Sequence, residues 1–262
     1  MKLSCLNAMV GDRSLAETFA IVKQAGFDGI DFRGDFAGEH VDEIAGLVKS
    51  TGLPVATVYG RITIPLLSAK VADRHASVEM VRDRLRTAKA LGAQNVIVVP
   101  VFGEPQMTAD AGEGVVATEI AVMFALLSEL AEDAEAAGVR ILLEPLNRKE
   151  THLLTSPSRT AELTRRLGSP WVITMLDTYH TDLEGQYSLA ELRAGGDQIG
   201  LIHLSDRDRQ LPGDGGIDFG PILAAGFDGW MGLECFSAYD VDQLSRCVDW
   251  LRAQGPALAE TA

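Results

Sequence analysis

Cysteine, positive charge and long apolar runs are all scarce in this sequence, and each shortage excludes a class of protein. The three cysteines form no C-x-x-C pair, which argues against a disulfide framework and against a cysteine zinc site. There are 23 Lys plus Arg against 37 Asp plus Glu, and the formal charge of -14 disfavours nucleic acid and anionic membranes as partners. No run of about 18 apolar residues occurs, and the first residues turn polar too early for a secretion signal. We therefore expect a protein of the reducing cytoplasm.

Short apolar runs alternate with helical patterns along the whole chain. The predicted strands cover residues 3–9, 29–33, 54–59, 95–100, 140–145, 172–177, 199–205 and 230–235. The predicted helices cover residues 14–25, 40–51, 72–91, 117–137, 156–167, 189–193, 221–225 and 241–252. Eight such units in about 250 residues are typical of a (β/α)8 TIM barrel, although the pattern alone also allows a doubly wound open sheet. Neither G-x-G-x-x-G after the first strand nor G-x-x-x-x-G-K-[ST] occurs, which favours the barrel.

The positions of glycines mark the ends of the predicted helices, and this signal does not depend on the hydrophobic pattern. They follow predicted helices at Gly26, Gly52, Gly92, Gly138, Gly168 and Gly226. A residue without a Cβ suits the left-handed conformation that ends many helices. No linker interrupts the pattern, so we predict a single-domain barrel over residues 1–254 followed by a C-terminal tail over residues 255–262.

Four of the predicted strands close on an ionisable residue, namely Glu144, Asp177, His203 and Glu234. The carboxyl ends of the strands form the working face of a TIM barrel, so these side chains are expected to meet there. Three carboxylates beside one imidazole would repel one another strongly without a cation. Their donor atoms suit a divalent metal, with Mn2+ first and Mg2+ or Co2+ as alternatives. The competing interpretation is that each residue is separately hydrogen-bonded to a helix N-terminus or an arginine.

The surroundings of these residues resemble the sugar isomerase and epimerase superfamily of xylose-isomerase-like barrels, and most closely the ketose 3-epimerases of the tagatose and psicose type. The matching segments are Glu144-Pro145-Leu146-Asn147-Arg148, Asp177-Thr178-Tyr179-His180, His203-Leu204-Ser205-Asp206 and Gly232-Leu233-Glu234. The resemblance spans the chain but is sharp only from residue 140 onward. It implies that Glu144, Asp177, His203 and Glu234 are the metal ligands.

The same resemblance implies three substrate-binding residues, Glu150, His180 and Arg209. They lie six residues after Glu144, three after Asp177 and six after His203, respectively. Before residue 140, the mouth of the site is expected to be lined by Asn7, Arg33, Tyr59, Arg61, Phe102 and Glu104. A small sugar or keto-sugar is therefore the expected partner.

The chemistry of epimerisation needs a metal and two proton-transfer groups. A metal that holds the ketone oxygen and the adjacent hydroxyl oxygen would stabilise the cis-enediolate formed when the proton between them leaves. Inverting that carbon requires a base on one face and an acid on the other. The resemblance implies that Glu144 and Glu234 are these catalytic residues. The predicted function is 3-epimerisation of a ketose by an isomerase.

Several alternatives share the predicted ligands. A hydroxypyruvate-isomerase-like or inosose (keto-inositol) isomerase differs only in where the proton returns, and a dehydratase or lyase would need a further proton donor. An abasic-site endonuclease of the superfamily uses several metals held by many histidines, whereas this chain has five histidines. A non-enzymatic sugar-binding barrel would lack a ligand or a base. The sequence leaves open a phosphorylated substrate and a homodimeric or homotetrameric assembly.

Overall fold

The computed structural model describes residues 1–60, 63–108 and 114–255, so Arg61 and residues 256–262 of the predicted tail lie outside the described residues. Eight parallel strands follow one another around a closed barrel, and β1 pairs with β8 to close it. The strands are β1 (Lys2–Leu6), β2 (Gly29–Arg33), β3 (Val55–Tyr59), β4 (Asn95–Val98), β5 (Arg140–Leu143), β6 (Val172–Asp177), β7 (Ile199–Leu204) and β8 (Trp230–Leu233). The predicted single-domain TIM barrel is confirmed, and the open sheet is excluded because the first and last strands are hydrogen-bonded.

The helices form the outer ring of the barrel. In the described part of the chain they are α1 (Leu15–Gln24), α2 (Gly34–Glu39), α3 (Val41–Thr51), α4 (Val71–Leu91), α5 (Val115–Ala137), α6 (Pro157–Leu167), α7 (Thr178–Leu183), α8 (Ser188–Gly195), α9 (Gly220–Leu223) and α10 (Val241–Gln254). The sequence did not predict α2 and α7, because six residues are too few to display a helical period. The first strand ends at Leu6 rather than at residue 9, since Asn7–Val10 forms a 3-10 turn. Within the described residues, none of these helices combines the length and apolarity needed to span a membrane.

Local signals explain where the helices begin and end. Ser14 and Glu17 form a reciprocal capping box at the start of α1, which satisfies two backbone N–H groups that the helix leaves unpaired. The six glycines expected to end helices all have positive φ, between 69° and 89°. Their left-handed backbone lets the chain turn back toward the next strand.

Successive side chains of a strand point alternately toward the helices and into the barrel, and both sides are buried. On β5, Ile141 and Leu143 pack outward against the helices, while Leu142 points into the barrel. The interior is filled by Ile97, Leu142, Ile173, Met175 and Leu201. This apolar plug forms the floor below the carboxyl ends of the strands.

Candidate active site

The alternation of the strands carries the four predicted ligands into the barrel. Glu144 lies two residues after the inward-facing Leu142, and His203 lies two after Leu201. Because side chains alternate with a period of two along a strand, both project inward just above the apolar plug. The pairing register sets His203 beside Asp177 of β6. The structure therefore brings together residues that are up to 90 positions apart in the sequence.

One ligand atom from each of Glu144, Asp177, His203 and Glu234 lies within 4.8 Å of the others. The side chains of Asp177 and His203 are almost completely buried, and His203 Nδ1 lies 3.1 Å from Glu234 Oε2. Nε2 of His203 is buried and has no hydrogen-bond partner among the described residues. One nitrogen donor and three carboxylates, packed this closely, fit a divalent cation.

Burial and neighbouring charges shift the pKa values of the residues in the cluster. Burial raises the pKa of Glu144 to about 8, and the neighbouring Glu234 adds to the shift. Burial opposes ionisation of Glu234 too, but His203 and Arg209 hold its pKa well below the usual range. Burial also disfavours the charged ring of His203, yet Glu234 raises the pKa of that ring to about 9. The surroundings therefore shift the pKa values of the two glutamates in opposite directions, that of Glu144 upward and that of Glu234 downward.

Arg209 reaches the cluster from the loop after β7. Its Nη1 donates to Asp177 Oδ2 at 2.6 Å and to Glu234 Oε2 at 3.0 Å, while Nη2 lies 2.9 Å from His180 Nε2. The guanidinium thus ties two predicted ligands to one predicted substrate-binding residue.

Two aromatic rings and an unusual backbone conformation hold the Arg209 guanidinium in position. It stacks against the rings of Tyr179 and Phe236, whose centroids lie 4.2 and 4.8 Å from its Cζ. Asp208 and Arg209 both have positive φ, 54° and 57°, which is unfavourable for residues with a Cβ. Strained backbone of this kind persists where surrounding contacts over-determine it, and it is concentrated at functional sites.

Asn147 joins the other two predicted substrate-binding residues. Its side-chain amide donates to Glu150 Oε1 at 2.7 Å and lies 2.9 Å from His180 Nδ1, and its backbone N–H donates to the same nitrogen at 3.2 Å. Burial lowers the pKa of His180 against the opposing effect of Asp177, so its ring is neutral. Asn147 belongs to the motif at residues 144–148, but its place in the sequence alone predicts no role for it.

The cluster opens into a cavity of about 350 Å³. It is lined by Arg33, Tyr59, Gly60, Ile97, Val99, Phe102, Glu144, Leu146, Glu150, His180, His203, Arg209, Glu234 and Phe236. The wall from β5 to β8 carries most of the ionisable groups, and the wall from β3 and β4 is mainly apolar. One side of a bound molecule would therefore be held by polar groups and the other by packing.

The predicted mouth residues have mixed outcomes. Arg33, Tyr59 and Phe102 line the cavity as expected. Asn7 lies behind them and accepts a hydrogen bond from Tyr59 Oη at 3.1 Å. Glu104 was wrongly placed, since it is exposed and does not line the cavity. Gly103, next to it in the chain, has a positive φ of 73°.

Asp31 is a fully buried acid near the site, and it was not among the residues predicted from the sequence. Ser4 Oγ donates to its Oδ2 at 2.5 Å. A Cβ on Gly232 would lie 3.0 Å from Asp31 Oδ2 and 3.3 Å from His203 Cδ2, so this glycine leaves room for both side chains. Burial raises the pKa of Asp31 to about 6 despite the hydrogen bond from Ser4.

This raised pKa predicts a pH dependence of stability in the metal-free protein. Asp31 binds its proton more tightly when folded than when unfolded, so protonation favours the folded state, and this contribution is lost as the pH rises through 6. Relative to Asp31→Asn, wild-type stability should fall by about 1 kcal/mol between pH 5 and pH 7. Urea unfolding of both proteins measures the difference, with the exposed Asp197→Asn as the control. Parallel pH profiles for wild type and Asp31→Asn would contradict the prediction.

Comparison with known proteins agrees with the fold. The model of the family described as xylose isomerase-like TIM barrel matches residues 19–254. L-ribulose 3-epimerase of Mesorhizobium japonicum is 28% identical over 246 residues, which are 90% of this chain and 80% of that protein. 3-dehydro-D-guloside 4-epimerase of Escherichia coli is 25% identical over 228 residues, 84% of either chain. The apo crystal structure of 3-keto-D-glucoside 4-epimerase from E. coli has a TM-score of 0.86 and 23% identity, covering 97% of this chain and 99% of that one.

The two curated relatives named above are epimerases, which places this protein in the isomerase class of enzymes at modest identity. The family match covers the barrel from α1 to the end of α10. The chain belongs to the xylose isomerase-like TIM barrel family.

Proposed function

We propose that this protein is a metal-dependent epimerase of keto sugars, and specifically a ketose 3-epimerase. The observation that carries the proposal is the meeting of Glu144 and Glu234 with Asp177 and His203 at the floor of one cavity. The relatives named above are 3-epimerases or 4-epimerases of keto sugars by name. Inverting a carbon beside a ketone requires removing its proton and returning one to the opposite face, whichever carbon is involved.

Glu144 and Glu234 supply the two proton-transfer groups in this proposal. Both carboxyl groups line the same cavity floor, within reach of one bound molecule. The ionised glutamate takes the proton from the substrate carbon, and the protonated glutamate returns one to the other face. The reverse reaction exchanges the two roles, as an equilibrium between epimers requires.

The residues that would hold the metal are Glu144, Asp177, His203 and Glu234. Mn2+ is our first choice, with Mg2+ and Co2+ as alternatives, because three oxygen donors and one nitrogen suit these ions. A bound cation would supply Lewis-acid stabilisation of the negative charge that develops on the substrate oxygens. Hydrogen bonds hold two of these side chains in place, since Arg209 donates to both Asp177 and Glu234.

Arg209, His180 and Glu150 are proposed to bind the hydroxyl groups next to the reacting carbon. All three line the cavity, and Asn147 connects two of them through hydrogen bonds. Their placement decides which carbon of the substrate meets the two glutamates.

The charges around the cavity support a neutral sugar. Among the described lining residues, Arg33 is paired with Asp35 at 2.7 Å and Arg209 is paired with Asp177 and Glu234. A phosphate group would have to compete with these carboxylates for both arginines. We therefore propose an unphosphorylated ketose as the substrate, acted on in the cytoplasm. A homodimer or homotetramer is the proposed assembly.

Glu150→Ala tests the proposed substrate contact. Removing a carboxylate that bonds substrate hydroxyls should raise KM about tenfold, since a hydrogen bond to a charged group contributes about 1.5–3 kcal/mol. Steady-state kinetics on the preferred ketose measure the change. Glu104→Ala is the matched control, because Glu104 lies outside the cavity and should leave KM unchanged. Equal effects of the two substitutions would exclude Glu150 as a substrate contact.

A substrate panel tests the proposed function directly. Enzyme loaded with Mn2+ is incubated with free ketoses, with 3-keto glycosides and with hydroxypyruvate, and the products are identified by chromatography. Pairs of ketoses that differ at carbon 3 support the proposal. Conversion of 3-keto glycosides alone would replace it by a 4-epimerase, and an aldose or aldehyde product would replace it by an isomerase that moves the carbonyl group.

A further inference from the structure

The loop after β4 and the loop after β5 run side by side at the mouth of the cavity. Gly103 N–H donates to Glu150 O at 2.7 Å, and His152 N–H donates back to Gly103 O at 3.1 Å. Thr151 Oγ1 adds a bond to Val101 O at 2.9 Å. These two loops carry Phe102 and Glu150, which both line the cavity.

A buried carboxylate on the neighbouring helix binds both loops at once. Glu119 of α5 has no exposed surface, and its Oε1 accepts the backbone N–H of Gln106 at 3.1 Å. Its Oε2 lies 2.5 Å from His152 Nε2. One oxygen therefore holds the β4 loop, and the other holds the β5 loop.

The ring of His152 completes the connection. Its Nδ1 lies 2.8 Å from Gly103 O, and a carbonyl oxygen only accepts, so Nδ1 carries a proton. A second proton lies between Nε2 and the Glu119 carboxylate, because two bare lone pairs would repel each other. The side chain of His152 is 12% exposed, so water competes little for these bonds.

We propose that Glu119 and His152 are positioning residues that clasp the two loops and so hold Phe102 and Glu150 at the cavity wall. Neither residue lines the cavity, so their effect on the substrate passes through the loops. The cost of burying this carboxylate is offset because each of its two oxygens contacts a group of one loop. This proposal depends on the proposed function in one respect, namely that Glu150 contacts the substrate.

Glu119→Ala and Glu119→Gln form a matched pair for testing the clasp. Alanine removes both bonds. Glutamine keeps both, since its amide oxygen can accept from Gln106 and its amide nitrogen can donate to the neutral ring of His152. Glu135→Ala, an exposed change on the same helix, controls for effects on α5.

Two readouts separate positioning from stability. Glu119→Ala should exchange the backbone hydrogens of Gly103, Gln106 and His152 about tenfold faster, while the barrel strands keep their protection. It should also raise KM about tenfold with little change in kcat or in the affinity for Mn2+, because misplaced contacts weaken substrate binding. Glu119→Gln and Glu135→Ala should match wild type in both measurements.

An unchanged KM in Glu119→Ala, together with faster loop exchange, would overturn the proposal, because the loops would then not position substrate groups. Faster exchange throughout the barrel with a parallel loss of kcat would also overturn it and leave a purely stabilising role. Hydrogen exchange needs no substrate. If wild type converts no keto sugar, the proposed function fails, while local loosening of the two loops would still support the clasp.

Discussion

Glu234→Gln is expected to lower kcat by about a thousandfold while the barrel remains folded, and Glu144→Gln should have an effect of the same size. General acid and base groups each contribute about 10²–10⁴-fold to proton transfer. An amide can neither take the substrate proton nor return one. Steady-state rates on the preferred ketose, at saturating Mn2+, measure the loss for each variant.

The control for these variants is Glu162→Gln, which makes the same chemical change at an exposed position on α6. It should leave kcat unchanged. Circular dichroism and the Mn2+ affinity of each variant separate a lost proton-transfer group from a lost metal. A kcat within a few fold of wild type in either glutamate variant, with metal bound, would refute the two-glutamate mechanism.

Chelation of the metal is expected to abolish turnover and to lower the melting temperature by about 5–10 °C relative to enzyme in saturating Mn2+. A ligand at about 100 times its dissociation constant stabilises the folded state by about 2.7 kcal/mol. In a chain of this size, each kcal/mol corresponds to about 2–4 °C. The stabilisation arises because the cation binds four side chains that only the folded chain brings together.

Thermal unfolding with and without Mn2+, Mg2+ and Co2+ measures this effect and ranks the metals. Asp177→Asn is the matched variant, because it replaces one oxygen donor while keeping the shape of the side chain. It should lose most of the metal-induced shift. A wild-type melting temperature that responds to none of the three ions would contradict the metal site.

Regularly repeated features of the barrel were predictable from the sequence. Strand-closing residues such as Glu144 and His203 stand out because their neighbours are apolar, and a parallel barrel brings the ends of its strands together. The inward direction of both side chains follows from the two-residue alternation that is already present in Leu142 and Leu201. Periodicity and strand ends therefore favoured the barrel and indicated which four residues meet at its carboxyl end, and their assignment as metal ligands stays a prediction.

Contacts between loops and helices were not predictable in the same way. His152 and Glu119 meet although 33 positions separate them, and neither lies on a strand. Asp31 lies inside an apolar strand, but nothing in its local pattern shows that Ser4 provides its hydrogen bond. Glu104 was misplaced because it lies in a loop, where no strand or helix period indicates the direction of a side chain. Such positions are set by tertiary structure rather than by local preference.

The most direct test of the central claim is an NMR time course in D2O, with Mn2+-loaded and chelated enzyme acting on free ketoses and hydroxypyruvate, and with manganese removed before each spectrum. The two-glutamate epimerase predicts deuterium at carbon 3 of a ketose, both epimers in the product, and neither change after chelation. Exchange at carbon 1 with an aldose or aldehyde product, or no exchange beside any ketone, would contradict it.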